Sequence, residues 1–367
     1  MPWEREANLE VWAPADTCGW WAETDFLLWW SEGADVPPLV TSSPAGTAAN
    51  VAGVLGQPGT TVLLGGDETL ATGSQAGGNV TLGWWYNPCG SALQFSYLVL
   101  SEQDSQFNAD STQIPILARP VVLNQVPAAM LVAHPDFLAG SLAVAGRTEL
   151  QAMEALWRHR WYEHPMGHQL DFFLGYRYAN LDESLHFDQF SRWTAPQGNI
   201  IVGTTKQLFD DFQAENEFHG ANVGFAFQRT FPRWTFNVQL KVGLGNNHSS
   251  VRIDGATVTT VPNAGAATFV GGLLAQRTNI GRYSENNFAV LPELRVGIVR
   301  RLSDRVQWSA GYNALFWSNV ARPGDQIDIN VSQFPPEPIA PAALPAFRFG
   351  TSSYWAHGLH AGIEVSF

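Results

Sequence analysis

Tyr354-Trp355-Ala356-His357-Gly358-Leu359-His360-Ala361-Gly362-Ile363-Glu364-Val365-Ser366-Phe367 alternates in character along its length. Trp355, Leu359, Ala361, Ile363, Val365 and Phe367 share one face, and Gly358, His360, Gly362, Glu364 and Ser366 share the other. Period two is that of a β-strand, whose successive side chains point to opposite sides. An apolar face backed by a small, polar one sets such a strand between two different media.

The pattern recurs nine times upstream. Trp20, Ala22, Thr24, Phe26, Leu28 and Trp30 oppose Glu23 and Asp25. Val80, Leu82, Trp84 and Tyr86 lead through the turn Asn87-Pro88-Cys89-Gly90 to Leu93, Phe95, Tyr97 and Val99. A fourth segment, from about Ser141 to Trp161, sets Leu142, Val144, Thr148 and Leu150 against Arg147, Glu149 and Gln151. In the fifth, Leu170, Phe172, Leu174, Tyr176 and Tyr178 oppose Asp171, Gly175 and Arg177. The sixth carries Ala221, Val223, Phe225 and Phe227. The seventh alternates Trp234, Phe236, Val238, Leu240, Val242 and Leu244 with Thr235, Asn237, Gln239, Lys241 and Gly243. The eighth carries Phe288, Val290, Leu294, Val296 and Ile298 against Glu293, Arg295 and Gly297. The ninth carries Val306, Trp308, Ala310, Tyr312, Ala314 and Phe316.

Between these strands the connections go long, short, long, short. The long ones cover about 33–77, 105–137, 182–214 and 246–284, then a stretch with a Pro/Ala run near 335–345. Val251–Val261 in the fourth is a candidate extra hairpin, which would raise the count from ten strands to twelve. Residues 1–18 are polar with scattered aromatics and are expected to be a periplasmic extension, leaving 19–367 as one domain. The first residues lack a basic start and an apolar core, so an exported protein would be a processed form or begin at a wrong start.

Composition narrows the function classes. The 367 residues include 15 Trp and 22 Phe, carry a formal charge of −13 and hold only two lysines, Lys206 and Lys241. With no basic stripe, nucleic acid is not an expected partner. No run of eighteen apolar residues supplies a membrane helix, whereas a spanning barrel spreads its signal over short alternating segments. The mean hydropathy of −0.08 is compatible with lipid-facing and lumen-facing residues that cancel. Aromatics gather near strand ends (Trp20, Trp21, Trp29, Trp30, Trp84, Trp85, Trp157, Trp161, Trp234, Trp308, Trp317), as at membrane interfaces. No strand edge can stay open in hydrocarbon. The expected fold is therefore all-β: a closed antiparallel transmembrane β-barrel of about ten strands, with long external loops and short periplasmic turns. A soluble β-barrel or sandwich module is the alternative that alternation alone permits.

Several stretches resemble a large planctomycete family of outer-membrane β-barrel proteins, often labelled β-barrel porin. They are Trp21-Ala22-Glu23-Thr24-Asp25-Phe26-Leu27-Leu28-Trp29-Trp30, Gly83-Trp84-Trp85-Tyr86-Asn87-Pro88-Cys89, Phe173-Leu174-Gly175-Tyr176-Arg177-Tyr178, Gln276-Arg277-Thr278-Asn279-Ile280-Gly281-Arg282-Tyr283, Phe288-Ala289-Val290-Leu291-Pro292-Glu293-Leu294 and Gly311-Tyr312-Asn313-Ala314-Leu315-Phe316-Trp317. The resemblance implies an integral outer-membrane protein, with lipid as partner and Phe367 as a signal to the insertion machinery. It implies no established activity.

In this register Arg147, Glu149, Asp171, Arg177, Lys241, Glu293, Arg295 and Glu364 point inward, with both signs in similar number. Ten strands with balanced inward charge favour a narrow or plugged bore over a wide channel. Cys18 and Cys89 would meet at the periplasmic rim, where a disulfide would stabilise the chain by about 4 kcal/mol. His159, His164 and His168 match no strong ligand spacing, and His357 and His360 face opposite sides, so no metal or cofactor is expected. Asp182, Glu183, Asp188, Asp210, Asp211, Glu215 and Glu217 make the third external loop acidic. No Gly-x-Ser-x-Gly, phosphate-loop or zinc-protease motif occurs. The expected role is structural or a narrow passive pore, with the loops open to a larger surface assembly of envelope or surface proteins. The alternative is a barrel protease or lipase with a rim site.

Overall fold

The computed structural model describes residues 18–66, 73–87, 90–336 and 343–367. Among these the chain is antiparallel and strand-rich, with no α-helix. Ten strands form a ring-like sheet: β1 (Gly19–Ser31), β2 (Gly73–Asn87), β3 (Ser91–Leu100), β4 (Leu138–His164), β5 (His168–Trp193), β6 (Thr205–Thr230), β7 (Trp234–Val261), β8 (Gly281–Arg301), β9 (Val306–Val320) and β10 (Ser352–Ser366). Each pairs with its sequence neighbours, and β10 pairs with β1 from Trp21–Ser366 to Ser31–Ala356. The strands thus fall where the alternation places them. Their short turns, the start of β1 at Gly19 and the end of β10 at Ser366 lie at one end of the ring. The long connections lie at the other.

Around the lower, short-turn half the outward positions are large and apolar. Phe26, Val80, Leu93, Leu174, Phe225, Leu240, Leu294, Tyr312 and Ile363 are all exposed. Trp20 stacks on Trp84 in this outer surface, and Trp161 and Trp234 lie exposed near the same rim. Not every tryptophan near a strand end belongs there. Trp21, Trp29 and Trp317 point inward and are buried.

The long connections are more ordered than their composition suggests. β4–β7 run on as a paired four-strand wall well past the other strands, so most of 182–214 is strand and the β5–β6 connection shrinks to 194–204. The acidic residues assigned to a loop are strand residues, and alternation sends Glu183 and Asp210 to the buried side. The expected hairpin at 251–261 is a continuation of β7, with Gly265–Val270 folded back onto its end. Gln103–Asp110 pairs with β4 beyond the end of β3. Both lie beside the ring rather than in it, so the ring count stays at ten.

A second sheet sits against this wall. It contains Val40–Ser42, Thr61–Leu64, Leu117–Leu123, Val126–Ala133 and Asn330–Val331. Its Leu39, Val40, Leu117, Val121 and Val132 pack on Leu142, Val144, Leu185, Phe187, Leu208, Phe212 and Ile253 of the wall. This is the largest hydrophobic core in the described residues, and it lies in the upper half.

Candidate functional site

The inward face changes character at one level all round the ring. Below that level it is polar and charged, and it encloses a cavity of about 1280 Å³ that extends down to the turn residues Met166, Pro232 and Asp304. Strand alternation brings charged groups from consecutive strands together there. Glu154 of β4 meets Arg177 of β5 at 3.0 Å and Lys241 of β7 at 2.6 Å. Glu293 of β8 meets the same two cations at 2.8 and 3.3 Å, while Asn222 of β6 donates to Glu154 at 3.0 Å. Two acids and two bases balance, and all four are largely buried, which is how such charges avoid an uncompensated desolvation cost.

Two further groups lie nearby. The Arg295 guanidinium donates to Glu23 at 2.7 Å and to Asp25 at 2.7 and 3.0 Å, tying β8 to β1, and Asn79 of β2 also donates to Asp25. Arg158 of β4 donates through Nε to Asp171 of β5 at 2.7 Å, and Gln169 donates to the same carboxylate. Arg158 and Arg160 both lie over the Trp85 ring. Trp21 lies flat against the wall over Gly83, where an added Cβ would run into the indole.

Of the eight charged residues expected inside, Arg177, Lys241, Glu293, Arg295 and Glu364 line this vestibule, while Asp171 is on the same inner side but fully buried beneath Arg158 and Gln169. Glu364 makes no direct ion pair among the described residues. Arg147 and Glu149 do not belong to the group. They lie on the outer surface of β4, where Arg147 pairs with Glu102 at 2.6 Å and faces Glu149 at 3.5 Å. The reason is a β-bulge: Leu170 pairs with Tyr162 but Asp171 pairs with Arg160, leaving Trp161 as an extra residue. One extra residue reverses the side of everything upstream of it on that strand. The same reversal turns Leu142, Val144, Thr148 and Leu150 inward and brings in Glu154 and Arg158, which the sequence reading left out.

Above the vestibule the bore is filled. Leu27 and Trp29 of β1, Leu98 and Leu100 of β3, Leu150 and Ala152 of β4, Leu181 of β5, Phe218 of β6, Leu291 of β8, Leu315 and Trp317 of β9, and Tyr354 and Ala356 of β10 form one apolar cluster across the ring. Trp29, Leu181, Phe218, Leu291, Trp317 and Tyr354 have no exposed surface. Phe218 meets the Trp317 ring edge-on at 6.1 Å. The Phe218 ring occupies the space in front of Gly243, where a Cβ would lie 3.2 Å from it. Directly above, Arg322 from the β9–β10 connection pairs with Glu183 at 2.7 Å and donates to the backbone carbonyls of Glu32 and Gly33. Higher still, Arg119 of the second sheet meets Asp210 of β6 at 2.8 Å, both fully buried. These pairings join residues far apart in sequence, and no local signal announces them.

The remaining expectations fall as follows. Cys18 is exposed and free, so the expected bridge is not formed; Cys89 lies outside the described residues, as do residues 1–17. His159 stacks on Trp157 and bonds Ser91, apart from the neighbouring rings of His164 and His168. Among the described residues no set of three or more His, Cys, Asp or Glu is arranged to hold a metal ion. His357 contacts Trp355 and Tyr312 on the outside, while His360 is buried on the inner wall. Phe367 is exposed at the short-turn end, its N–H donating to the Trp20 carbonyl at 2.9 Å.

No curated protein matches this chain. Among solved structures it is similar to the outer membrane protease OmpT from Escherichia coli, at 6% identity and a TM-score of 0.43 over 98% of this chain and all of that one. A Pseudomonas aeruginosa FadL homologue is similar at 8% identity and a TM-score of 0.25, covering 95% of this chain and 90% of that one. The Pseudomonas putida toluene transporter TodX is similar at 6% identity and a TM-score of 0.22, over 97% and 90%. Likenesses this distant carry no argument about role. The family model described as Putative beta barrel porin-7 (BBP7) matches residues 21–367, nearly the whole chain, and supports an outer-membrane location. The chain belongs to that β-barrel porin family.

Proposed function

We propose that the ten-stranded ring is a closed transmembrane β-barrel of the bacterial outer membrane, and that it serves as a sealed anchor for the folded cap rather than as a diffusion channel. Its short turns, the start of β1 and the end of β10 face the periplasm, and the cap built on β4–β7 faces outward. The observation that supports sealing is the apolar layer around Trp29, Phe218 and Trp317, whose side chains are fully buried in mid-bore. A packed layer of this kind has density close to that of a crystal and leaves no water path. The vestibule below it is then a blind chamber, not half of a pore.

The partners in this reading are outer-membrane lipid around the lower half and envelope or surface proteins at the cap. The insertion machinery would take hold of the last strand, Ser352–Ser366. No nucleic-acid partner and no catalysis are assigned. Turnover of peptide or phospholipid by the refolded protein, lost on substituting a rim carboxylate such as Asp211, would overturn the non-enzyme reading. The sealing itself is tested with proteoliposomes in an iso-osmotic sugar. They should swell no faster than protein-free vesicles, and swelling at the rate of a general porin would contradict it. A tag in the 194–204 connection should be labelled on intact cells. One at Phe231–Arg233 should be labelled only after permeabilisation.

A further inference from the structure

On the outer wall, at the level of the vestibule, the belt of large apolar side chains is interrupted. Ala310 of β9 and Ala361 of β10 stand opposite each other, with Ile298 and Phe236 next on one side and Phe26 on the other. The row towards the long-connection end is Val296, Tyr312, Leu359 and Leu28. Behind the alanines the inner positions are Gly297 and Gly311, with His360 close against them. The result is a depression of about 680 Å³ whose walls are aliphatic and aromatic.

One row nearer the short turns, the outward residues are Trp234, Arg300, Trp308 and Ile363. Arg300 is exposed, its guanidinium 5.2 Å from the centre of the Trp234 ring. It makes no ion pair among the described residues. An arginine on the lipid side of a barrel is tolerated only towards the interface, where a phosphate offers its fork two oxygens.

We propose that this groove is a binding site for an anionic phospholipid of the inner leaflet, with one acyl chain in the depression over Ala310 and Ala361 and the phosphate on Arg300. The inference rests on the outer-membrane reading given above and adds a specific lipid to it. The groove opens onto hydrocarbon, so an empty depression would forfeit dispersion contacts that a chain restores. Among the described residues no carboxylate pairs with Arg300, and a headgroup with net negative charge supplies a partner. Arg300 and the apolar pocket are one row apart, matching the order of phosphate and chain in a lipid.

The test is native mass spectrometry of the detergent-solubilised protein with added phosphatidylglycerol or phosphatidylcholine. Wild type should retain one phosphatidylglycerol, and Arg300→Gln should lower that retention about tenfold towards the phosphatidylcholine level, the size expected for one charge-assisted hydrogen bond. Ala361→Phe and Ala310→Phe fill the groove and should lower retention of both lipids about tenfold, the loss of two or so buried methylenes. Ala221→Phe, on β6, should change nothing, and heat-modifiable migration on gels confirms that each variant is folded. Undiminished retention by the groove-filling variants would overturn the proposal, as would a second copy of the chain occupying this face in wild type. Failure of the outer-membrane reading itself would show differently, as a protein monodisperse without detergent.

Discussion

The two halves of β5 are built on the same alternation and do opposite things. Below Tyr178 the outward residues are Leu174 and Tyr176, and the inward ones are Asp171 and Arg177. Above it the outward residues include Asp182, His186 and Asp188, while Leu181, Leu185 and Phe187 are buried within. The strand crosses from one regime to the other without a break in pairing. Alternation therefore fixes which residues share a side, and the surrounding medium decides which side is greasy. In the proposed membrane setting, the outside of the lower half faces hydrocarbon and its inside is the polar, charged vestibule. In the upper half the outside is water and the inside is a protein core.

This contrast predicts that a given substitution has unequal effects in the two halves. The largest effect is expected at Glu154, where alanine leaves Arg177 and Lys241 sharing only Glu293. That should cost about 3–5 kcal/mol, as for breaking a buried pair, while Glu149→Ala, on the same strand but facing water, should stay within about 0.5 kcal/mol. Unfolding of both in detergent or lipid measures the difference, and equal costs would erase the assigned register of β4. Phe218→Ala should cost about 3–5 kcal/mol through the cavity it leaves, and it should thin the seal enough to be read as increased ion leak. Val238→Arg places a charge in hydrocarbon and should cost about 2–4 kcal/mol. Ser250→Arg, on the same face of β7 but above the belt and opposite Glu215, should be nearly neutral, within about 0.5 kcal/mol.

The smallest effect is electrostatic. On the water-facing surface Asp182 stands directly between Glu149 and Glu215. Partial burial, then repulsion from Glu215, Glu149 and Glu217, raises its pKa to about 6. A carboxylate whose folded pKa is raised destabilises the fold once it is charged, so the penalty is present above the folded pKa and absent below the unfolded one. Asp182→Asn should therefore be more stable than wild type near pH 8, and the advantage should vanish as pH falls through about 6 towards 4. Thermal midpoints across that range measure it, and a pH-independent difference would remove Asp182 from the acidic row.

Much of the ring was legible in the sequence. The phases of β1 and β5–β10 follow from counting residues, because each has large apolar groups facing hydrocarbon and charges or glycines facing inward. β4 was not legible, for two physical reasons. Residues 142–150 belong to the upper half, where the greasy side is the inner one, and the bulge at Trp161 shifts the count from the turn by one. Glu154 and Arg158 were lost with that phase. The seal was also hidden, since Trp29 and Trp317 look like interfacial aromatics until the ring shows which way they point. The cap drew its order from contacts such as Arg119–Asp210 and Arg322–Glu183, which join segments far apart in the chain and have no period to betray them.

The claim that most of this depends on is that the bore is shut by its own side chains. Single-channel recording of the purified protein in a planar bilayer addresses it directly. The packed layer predicts a silent membrane at confirmed insertion for the wild-type chain, with leak appearing in Phe218→Ala and larger steps when Trp317 is also cut back to alanine. Steady open steps from the wild-type chain would contradict it.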